Sequence, residues 1–283
     1  MYPPYPTLGG PERGSRSLRS PTLKSYLQVA VRACRAAGRI QVASFGSAPP
    51  IEHKGEIDLV TGIDRASEKA IIARIGRAFP GHGVLAEESD PRTGDAEHLW
   101  IVDPLDGTTN YSKGFPYFCV SIALARAGRV IVAAVYQPLL DEMFTAIRGH
   151  GAFLNGSRLR VSGQARLDQA FLATGFPYDI RRSSRTNIDH FSNFATRCLA
   201  IRRAGAAALD LAYVAAGRFD GFWELKLRPW DIAAASLLIE EAGGRVTGFA
   251  GRPWRLSVRD IVASNGRVHD EILAVLRPER PSA

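Results

Sequence analysis

Trp100-Ile101-Val102-Asp103-Pro104-Leu105-Asp106-Gly107-Thr108-Thr109-Asn110 is the stretch that decides how this chain is read. Three apolar residues read as a strand, Pro104 tightens a turn, and the segment from Gly107 reads as a helix start. Asp103 stands at the strand end and Asp106 three residues on. Both carboxylates can then reach one cation, and an intervening carbonyl such as that of Leu105 can join them. Oxygen-only donors suit Mg²⁺ or Ca²⁺. Gly107 lets the backbone come close to a ligand. The amides of Gly107 and Thr108 would face an anion at the helix N-terminus. The plain alternative is an Asx-type turn followed by helix caps. A calcium loop of the EF-hand kind is excluded, because the twelfth position from Asp103 is Gly114 rather than Glu.

Working outward, acids recur at the ends of apolar segments. Glu87-Glu88 follows the short strand Val84–Ala86. Asp231 opens an amphipathic helix after Pro229-Trp230, and Asp58 and Asp64 flank Leu59-Val60-Thr61. Each alone reads as surface charge or a helix cap. If they converge, they repel: two charges 4 Å apart cost about 4 kcal/mol at an effective dielectric of 20. A cluster of four or more is tolerable only with bound cations or raised pKa values, and a divalent metal is the simpler answer.

The chain has 283 residues, 46% of them hydrophobic and 23% charged, which excludes wholesale disorder and allows a large core. No run approaches 18 uninterrupted apolar residues, so no membrane helix is expected. The net charge of +8 admits an anionic partner, nucleic acid included. Residues 1–21, rich in Pro, Gly, Ser and Arg and without an apolar core, read as a disordered basic tail rather than a secretory signal. Cys34, Cys119 and Cys198 are odd in number and far apart, which argues against a disulfide framework or zinc ribbon. They read as buried thiols in a reducing, cytoplasmic setting. There is no GxxxxGK(S/T) loop, no GxSxG elbow and no HExxH. Gly81-His82-Gly83 with Ala86 mimics a dinucleotide fingerprint but follows a helix and opens a strand, the wrong order.

Helical spacing predicts helices over Leu23–Phe45 and Asp64–Phe79, the second stopped by Pro80-Gly81. Strand-like runs follow at Val84–Ala86, Leu99–Val102, Phe118–Ala125, Val130–Gln137 and Glu142–Ile147, an antiparallel sheet of hairpins, with a turn at Asn155-Gly156. Beyond it, helices are expected near Asn187–Cys198, Ala206–Ala216, Asp231–Ala242 and Arg267–Leu276. Strands are expected near Phe219–Leu225, Arg245–Thr247 and Ile261–Ala263. The expected division is a tail, an α+β half over 22–155 carrying the metal site, and an α/β half over 156–278, without a flexible linker between the halves.

Taken together, these segments resemble the inositol monophosphatase family of magnesium-dependent sugar phosphatases. The match is carried by Asp58-Leu59-Val60-Thr61 with Asp64, Ala86-Glu87-Glu88-Ser89, Asp103 to Asn110, Trp230-Asp231-Ile232-Ala233-Ala234, and Glu241-Ala242-Gly243-Gly244. Gly149 to Ser162, with Ala152-Phe153-Leu154-Asn155-Gly156, fits as well, so the resemblance spans about residues 22 to 277. It implies a layered α/β/α/β/α fold with the active site between the halves. It implies Glu87, Asp103, the Leu105 carbonyl, Asp106 and Asp231 as ligands of two or three Mg²⁺ ions. Glu87, Thr108 and Asp64 would be catalytic, the Thr108–Asp64 pair orienting and helping to deprotonate the attacking water. Gly107 and Thr108 amides would hold the phosphate, and Gly205-Ala206-Ala207 with Glu224 would meet the alcohol. Where some members carry a hydroxyl residue in that segment, this chain has Ala206.

The implied activity is hydrolysis of a small phosphorylated polyol, with inositol monophosphate favoured by the Gly-Thr-Thr-Asn form at 107–110. Fructose 1,6-bisphosphate, histidinol phosphate, a nucleotide 3′-phosphate and galactose 1-phosphate are the alternatives in the same chemistry. A homodimer and lithium sensitivity also follow from the resemblance. A second class of function is a binding protein on the same fold, using its basic surface in an RNA or transcription complex. No RNP-like aromatic motif supports it.

Overall fold

A computed structural model of the chain describes residues 22–47, 51–53, 59–95 and 97–277. The tail read at residues 1–21 and the acid Asp58 lie outside the described residues.

In chain order the first elements are α1 (Leu23–Ser44), β1 (Ile51–His53), β2 (Leu59–Thr61), α2 (Gly62–Ala78), β3 (Gly83–Ala86), β4 (His98–Asp106) and α3 (Thr108–Ser112). Then come β5 (Cys119–Arg126), β6 (Arg129–Gln137), β7 (Glu142–Ile147), β8 (Gly151–Leu154) and β9 (Ser157–Arg158). The remainder comprises β10 (Phe171–Thr174), α4 (Ile188–Ala195), β11 (Ala200–Arg202), α5 (Ala207–Ala215), β12 (Gly221–Glu224), α6 (Pro229–Glu241), β13 (Arg245–Thr247), β14 (Ile261–Ser264) and α7 (His269–Leu276).

Two sheets carry the architecture. A seven-stranded sheet runs β3-β4-β5-β6-β7-β8-β9, and a five-stranded sheet runs β11-β10-β12-β14-β13. α1 and α2 cover the outer face of the first, α5 and α6 lie between the two, and α7 packs on the second with α4 beside it. This is the layered α/β/α/β/α arrangement. The hairpins expected between Leu99 and Ile147 are present as β4 to β7, with β8 and β9 extending them, but β3 joins β4 in parallel, because the connection after β3 is a crossover rather than a hairpin. Asn155 and Gly156, both at positive φ, make the two-residue turn between β8 and β9.

Local chemistry sets these elements. Thr22 caps α1, its side chain accepting from the Ser25 amide at 3.2 Å. Small residues Ala30, Ala33 and Ala37 are fully buried, so α1 lies close on the sheet. A methyl at Gly38 would come within 2.6 Å of the Tyr136 ring. α6 is apolar on every side because sheets flank it. Ile232, Leu237, Leu238 and Ile239 are completely buried, each contributing about 1.5–3 kcal/mol of apolar burial. β4 shows the decisive alternation. Trp100 and Val102 face the α1–α2 layer, and Ile101 faces the α5–α6 layer. Asp103 shares the parity of Ile101 and therefore points at the interior between the sheets.

Some expectations need correction. β4 does not end at Val102. It continues to Asp106 through an irregularity in its pairing with β5 between Asp103 and Asp106, where Pro104 supplies no ladder donor. β1, β2, β8, β9, β10 and β11 lie where no strand was expected. Phe171–Thr174 and Ala200–Arg202 are too short to show a period. Of the thiols, Cys34 and Cys119 are buried and Cys198 is half-buried. Among the described residues no helix is long and apolar enough to cross a membrane.

Candidate active site

Four chain segments end at one place. β3 delivers Glu87, β4 delivers Asp103, Leu105 and Asp106, α6 begins beside Asp231, and α5 begins beside Ala206. Ser121, paired with Asp103 across β4 and β5, donates to the Trp230 carbonyl at 3.2 Å, which fixes the α6 N-terminus over Asp103. Asp231 sits in the first turn of α6 and accepts from the Arg228 amide at 2.7 Å, so its role as a cap is real and does not exclude another. The Glu88 backbone amide donates to the buried Glu68 of α2 at 2.8 Å.

The charges interact. Asp103, 2% exposed, has its carboxyl raised well above the usual range, first by burial and then by Glu87, Asp106 and Asp231. The Leu105 amide, donating at 3.0 Å, opposes the shift only in part. Burial pushes Asp106 up to about 7, against the stabilising Ala208 amide, which donates to it at 2.7 Å, and with Glu87 adding to the rise. The Ala208 and Leu209 amides belong to the first turn of α5, so Asp106 is held by that helix terminus. The Cys119 thiol lies 3.7 Å from the same Asp106 oxygen.

Asp64 and Thr108 meet. The Thr108 hydroxyl lies 2.8 Å from Asp64 Oδ1 and 3.0 Å from the Leu105 carbonyl. Asp64 Oδ2 accepts from the Thr61 amide at 2.8 Å and from its hydroxyl at 2.5 Å, closing a capping box at the head of α2. Gly107 adopts φ 92°, and a methyl there would stand 3.0 Å from the Tyr117 carbonyl and 3.2 Å from the Ala206 methyl. The Gly205-Ala206-Ala207 segment therefore lies directly against the turn, tied to it by Asn110, whose amide donates to the carbonyls of Ala204 and Tyr117, each at 2.8 Å. Glu224, at the end of β12, is raised by burial, then by Asp231 and Asp210, with Arg203 opposing and Asp106 adding. The sequence-read residues Glu87, Asp103, Asp106, Asp231 and Glu224 thus share one electrostatic neighbourhood, with Asp64 and Thr108 at its edge.

Sequence reasoning missed Asp210 and Arg203. Asp210 is buried in α5, accepts from the Tyr117 hydroxyl at 2.6 Å, and is raised by burial with Asp106 nearby. The available signal was an acid inside the apolar run Ala206–Ala216.

The donor set is all oxygen, which fits a hard divalent cation. Among the described residues, the one trio of His, Cys, Asp or Glu whose ligand atoms all lie within 4.8 Å of one another is elsewhere: His82, Asp95 and His98. The histidine trio is built differently. The two rings stack at 4.4 Å with 9° between planes, so their in-plane lone pairs cannot aim at one ion. Trp100 donates to His82 Nδ1 at 3.1 Å, which leaves the proton of a neutral His82 on Nε2, facing Asp95.

Comparison with known proteins places this geometry. The sequence model described as "Inositol monophosphatase family" matches residues 22–281. The Nus factor SuhB of Escherichia coli (strain K12) is 47% identical over 260 residues, 91% of this chain and 97% of that protein. A solved inositol monophosphatase from Anabaena (Nostoc) sp. PCC 7120 superposes with TM-score 0.82 at 41% identity, covering 90% of this chain and 96% of that one. An IMPase/NADP phosphatase solved with Mg²⁺ and phosphate gives TM-score 0.78 at 26% identity, covering 91% and 97% of the two chains. With the family model spanning every described residue and the layered fold shared, this chain belongs to the inositol monophosphatase family.

Proposed function

We propose that this protein is a Mg²⁺-dependent phosphomonoesterase acting on inositol monophosphate or a similar small polyol phosphate. The observation that carries the reading is Asp103, buried and raised by Glu87, Asp106 and Asp231, with the Thr108–Asp64 hydrogen bond beside it. Its support from relatives is the family match and the Mg²⁺ and phosphate bound by the IMPase/NADP phosphatase.

Glu87, Asp103, the Leu105 carbonyl, Asp106 and Asp231 would hold the ions, two or three in number. Bound Mg²⁺ supplies positive charge that offsets the acids, stabilises charge developing on the phosphoryl oxygens, and acidifies water. The chain's own residues do the rest. Asp64, fixed by Thr61, accepts the Thr108 proton. The Thr108 oxygen then presents its lone pairs to an attacking water and receives its proton as the water adds to phosphorus. The Gly107 and Thr108 amides orient the phosphate, and Glu224 with Gly205-Ala206-Ala207 receives the alcohol. No covalent enzyme intermediate is required, because the water itself is the activated nucleophile. Phosphate release from a panel of the five substrate classes named above, with Mg²⁺ and with excess EDTA, tests the reading. Full activity in EDTA overturns it.

A second reading rests on the name of the relatives. The 47% identical protein from Escherichia coli is a Nus factor, and this chain carries a net charge of +8. A role in an RNA or transcription complex would coexist with catalysis. Its mark is salt-dependent RNA binding that survives Asp103→Asn. Homodimerisation and a cytoplasmic location complete the proposal, the first checked by light scattering.

A further inference from the structure

The substrate side of the site contains a buried polar network that the proposed chemistry does not use. β10 and β12 run parallel, Thr174 beside Trp223, and both end at the site. The Asn187 side-chain amide donates to the Gly175 carbonyl at 2.6 Å and to the Thr174 hydroxyl at 2.9 Å. The Asn187 side-chain oxygen accepts from the Trp223 indole at 2.9 Å, and Thr174 donates to the Trp223 carbonyl at 2.6 Å. Asn187 is buried and sits at φ 73°, a left-handed conformation that Asn adopts more readily than other side-chain-bearing residues. Four groups thus clamp the end of β10 to the end of β12, and the next residues on the two strands are Gly175 and Glu224.

Those two residues touch. A methyl group placed on Gly175 would lie 2.2 and 2.3 Å from the two Glu224 carboxylate oxygens and 2.4 Å from their carbon. Only a residue without a side chain leaves the carboxylate where it is. Glu224 is 7% exposed, and among the described residues no hydrogen-bond donor is bonded to it. Arg203 is the cation that opposes its rise, and it acts on Asp210 as well. A buried carboxylate with its acceptor capacity unspent is a receptor for hydroxyl donors.

We propose that Gly175, stapled by Asn187, is a positioning residue for the specificity of this site: it sets the Glu224 carboxylate where adjacent hydroxyls of a cyclic polyol donate to it. The inference rests on the phosphatase reading, which already sets Glu224 on the alcohol, and adds the residue that holds that carboxylate in place. A phosphate ester whose alcohol carries no second hydroxyl gains nothing from this arrangement. A polyol ester gains two hydrogen bonds to the carboxyl oxygens.

The test uses the full chain with Mg²⁺ and two substrates, inositol 1-phosphate and phenyl phosphate. Gly175→Ala should lower the ratio of their kcat/KM values, inositol over phenyl, tenfold or more, with the loss carried by KM for inositol 1-phosphate. Glu224→Ala should lower the ratio similarly, and adding Gly175→Ala to it should change the ratio less than twofold. Equal losses on both substrates, an unchanged ratio, or additive effects overturn the proposal. If Gly175→Ala alone is insoluble, the double variant lacks the clash and should fold, and its failure to fold also overturns the contact. Should the parent chain release phosphate from neither substrate, the phosphatase reading falls and this inference with it, an outcome distinct from an active enzyme with an unmoved ratio.

Discussion

The Thr108 hydroxyl and Asp64 Oδ1 are 2.8 Å apart, although 44 residues separate them in the chain. A threonine hydroxyl has one proton, and two acceptors compete for it here, Asp64 and the Leu105 carbonyl at 3.0 Å. The Asp64 carboxylate, the closer of the two acceptors, wins that competition. The outcome leaves the Thr108 lone pairs free to accept from water. Thr108→Val keeps the shape and removes the relay, so kcat for phosphate release should fall about 10²–10⁴-fold with KM little changed. Steady-state kinetics on inositol 1-phosphate with Mg²⁺ checks this, and a KM-only effect would speak against the relay.

Asp64 does a second job that Thr108 does not. It closes the capping box of α2 with Thr61. Asp64→Ala should therefore cost activity and also about 0.5–2 kcal/mol of stability, whereas Thr108→Val costs activity with little change in stability. Urea unfolding of the two variants separates the roles. Equal stability losses would show that the pair acts only as scaffold.

The acid cluster makes a prediction about the protein without metal. Asp103 is buried among Glu87, Asp106 and Asp231, all of which raise it. In EDTA, Asp103→Asn removes one repelling charge and should raise Tm. Mg²⁺ at about 100 times its Kd should stabilise the parent by about 2.7 kcal/mol, and the variant by much less. Thermal melts with and without Mg²⁺ read both effects, and a variant that melts lower than the parent in EDTA contradicts the repulsion.

His269 governs a different pH range. It is buried between the Ser264 hydroxyl at 2.9 Å and the Thr247 hydroxyl at 3.0 Å, and burial lowers it from 6.5 to about 4, with Arg245 adding to the shift. The unfolded chain binds this proton near pH 6.5 and the folded chain only near 4, so the contribution of neutral His269 is present above 6.5 and is lost as pH falls toward 4. His269→Gln should flatten the dependence of stability on pH between those values. Denaturation at pH 7, 5.5 and 4.5 measures the slope, and an unchanged slope assigns it to other groups.

The sequence made some of this legible and hid the rest for physical reasons. Helices α1, α2, α5 and α6 could be read because apolar spacing, Thr22, Pro80 and Pro229 mark them. The site acids could be read because each stands where an apolar segment ends, and strand ends are where side chains reach a ligand. Gly107 carried its own signal, next to Asp106. β10 did not, since Phe171-Leu172-Ala173-Thr174 is buried on both faces and shows no alternation. Gly175 and Asn187 were also silent. Their meaning lies in contacts with Glu224 and Trp223, 49 and 36 residues away, that only the fold creates. Asp210 was passed over for the same reason, its partner Tyr117 lying 93 residues off.

Phosphate release from inositol 1-phosphate, followed in parallel for the parent chain and Asp103→Asn, with Mg²⁺ and with excess EDTA, bears most directly on the whole account. The account predicts turnover by the parent with Mg²⁺ and almost none in the other three conditions. Equal release by both proteins in EDTA would contradict it.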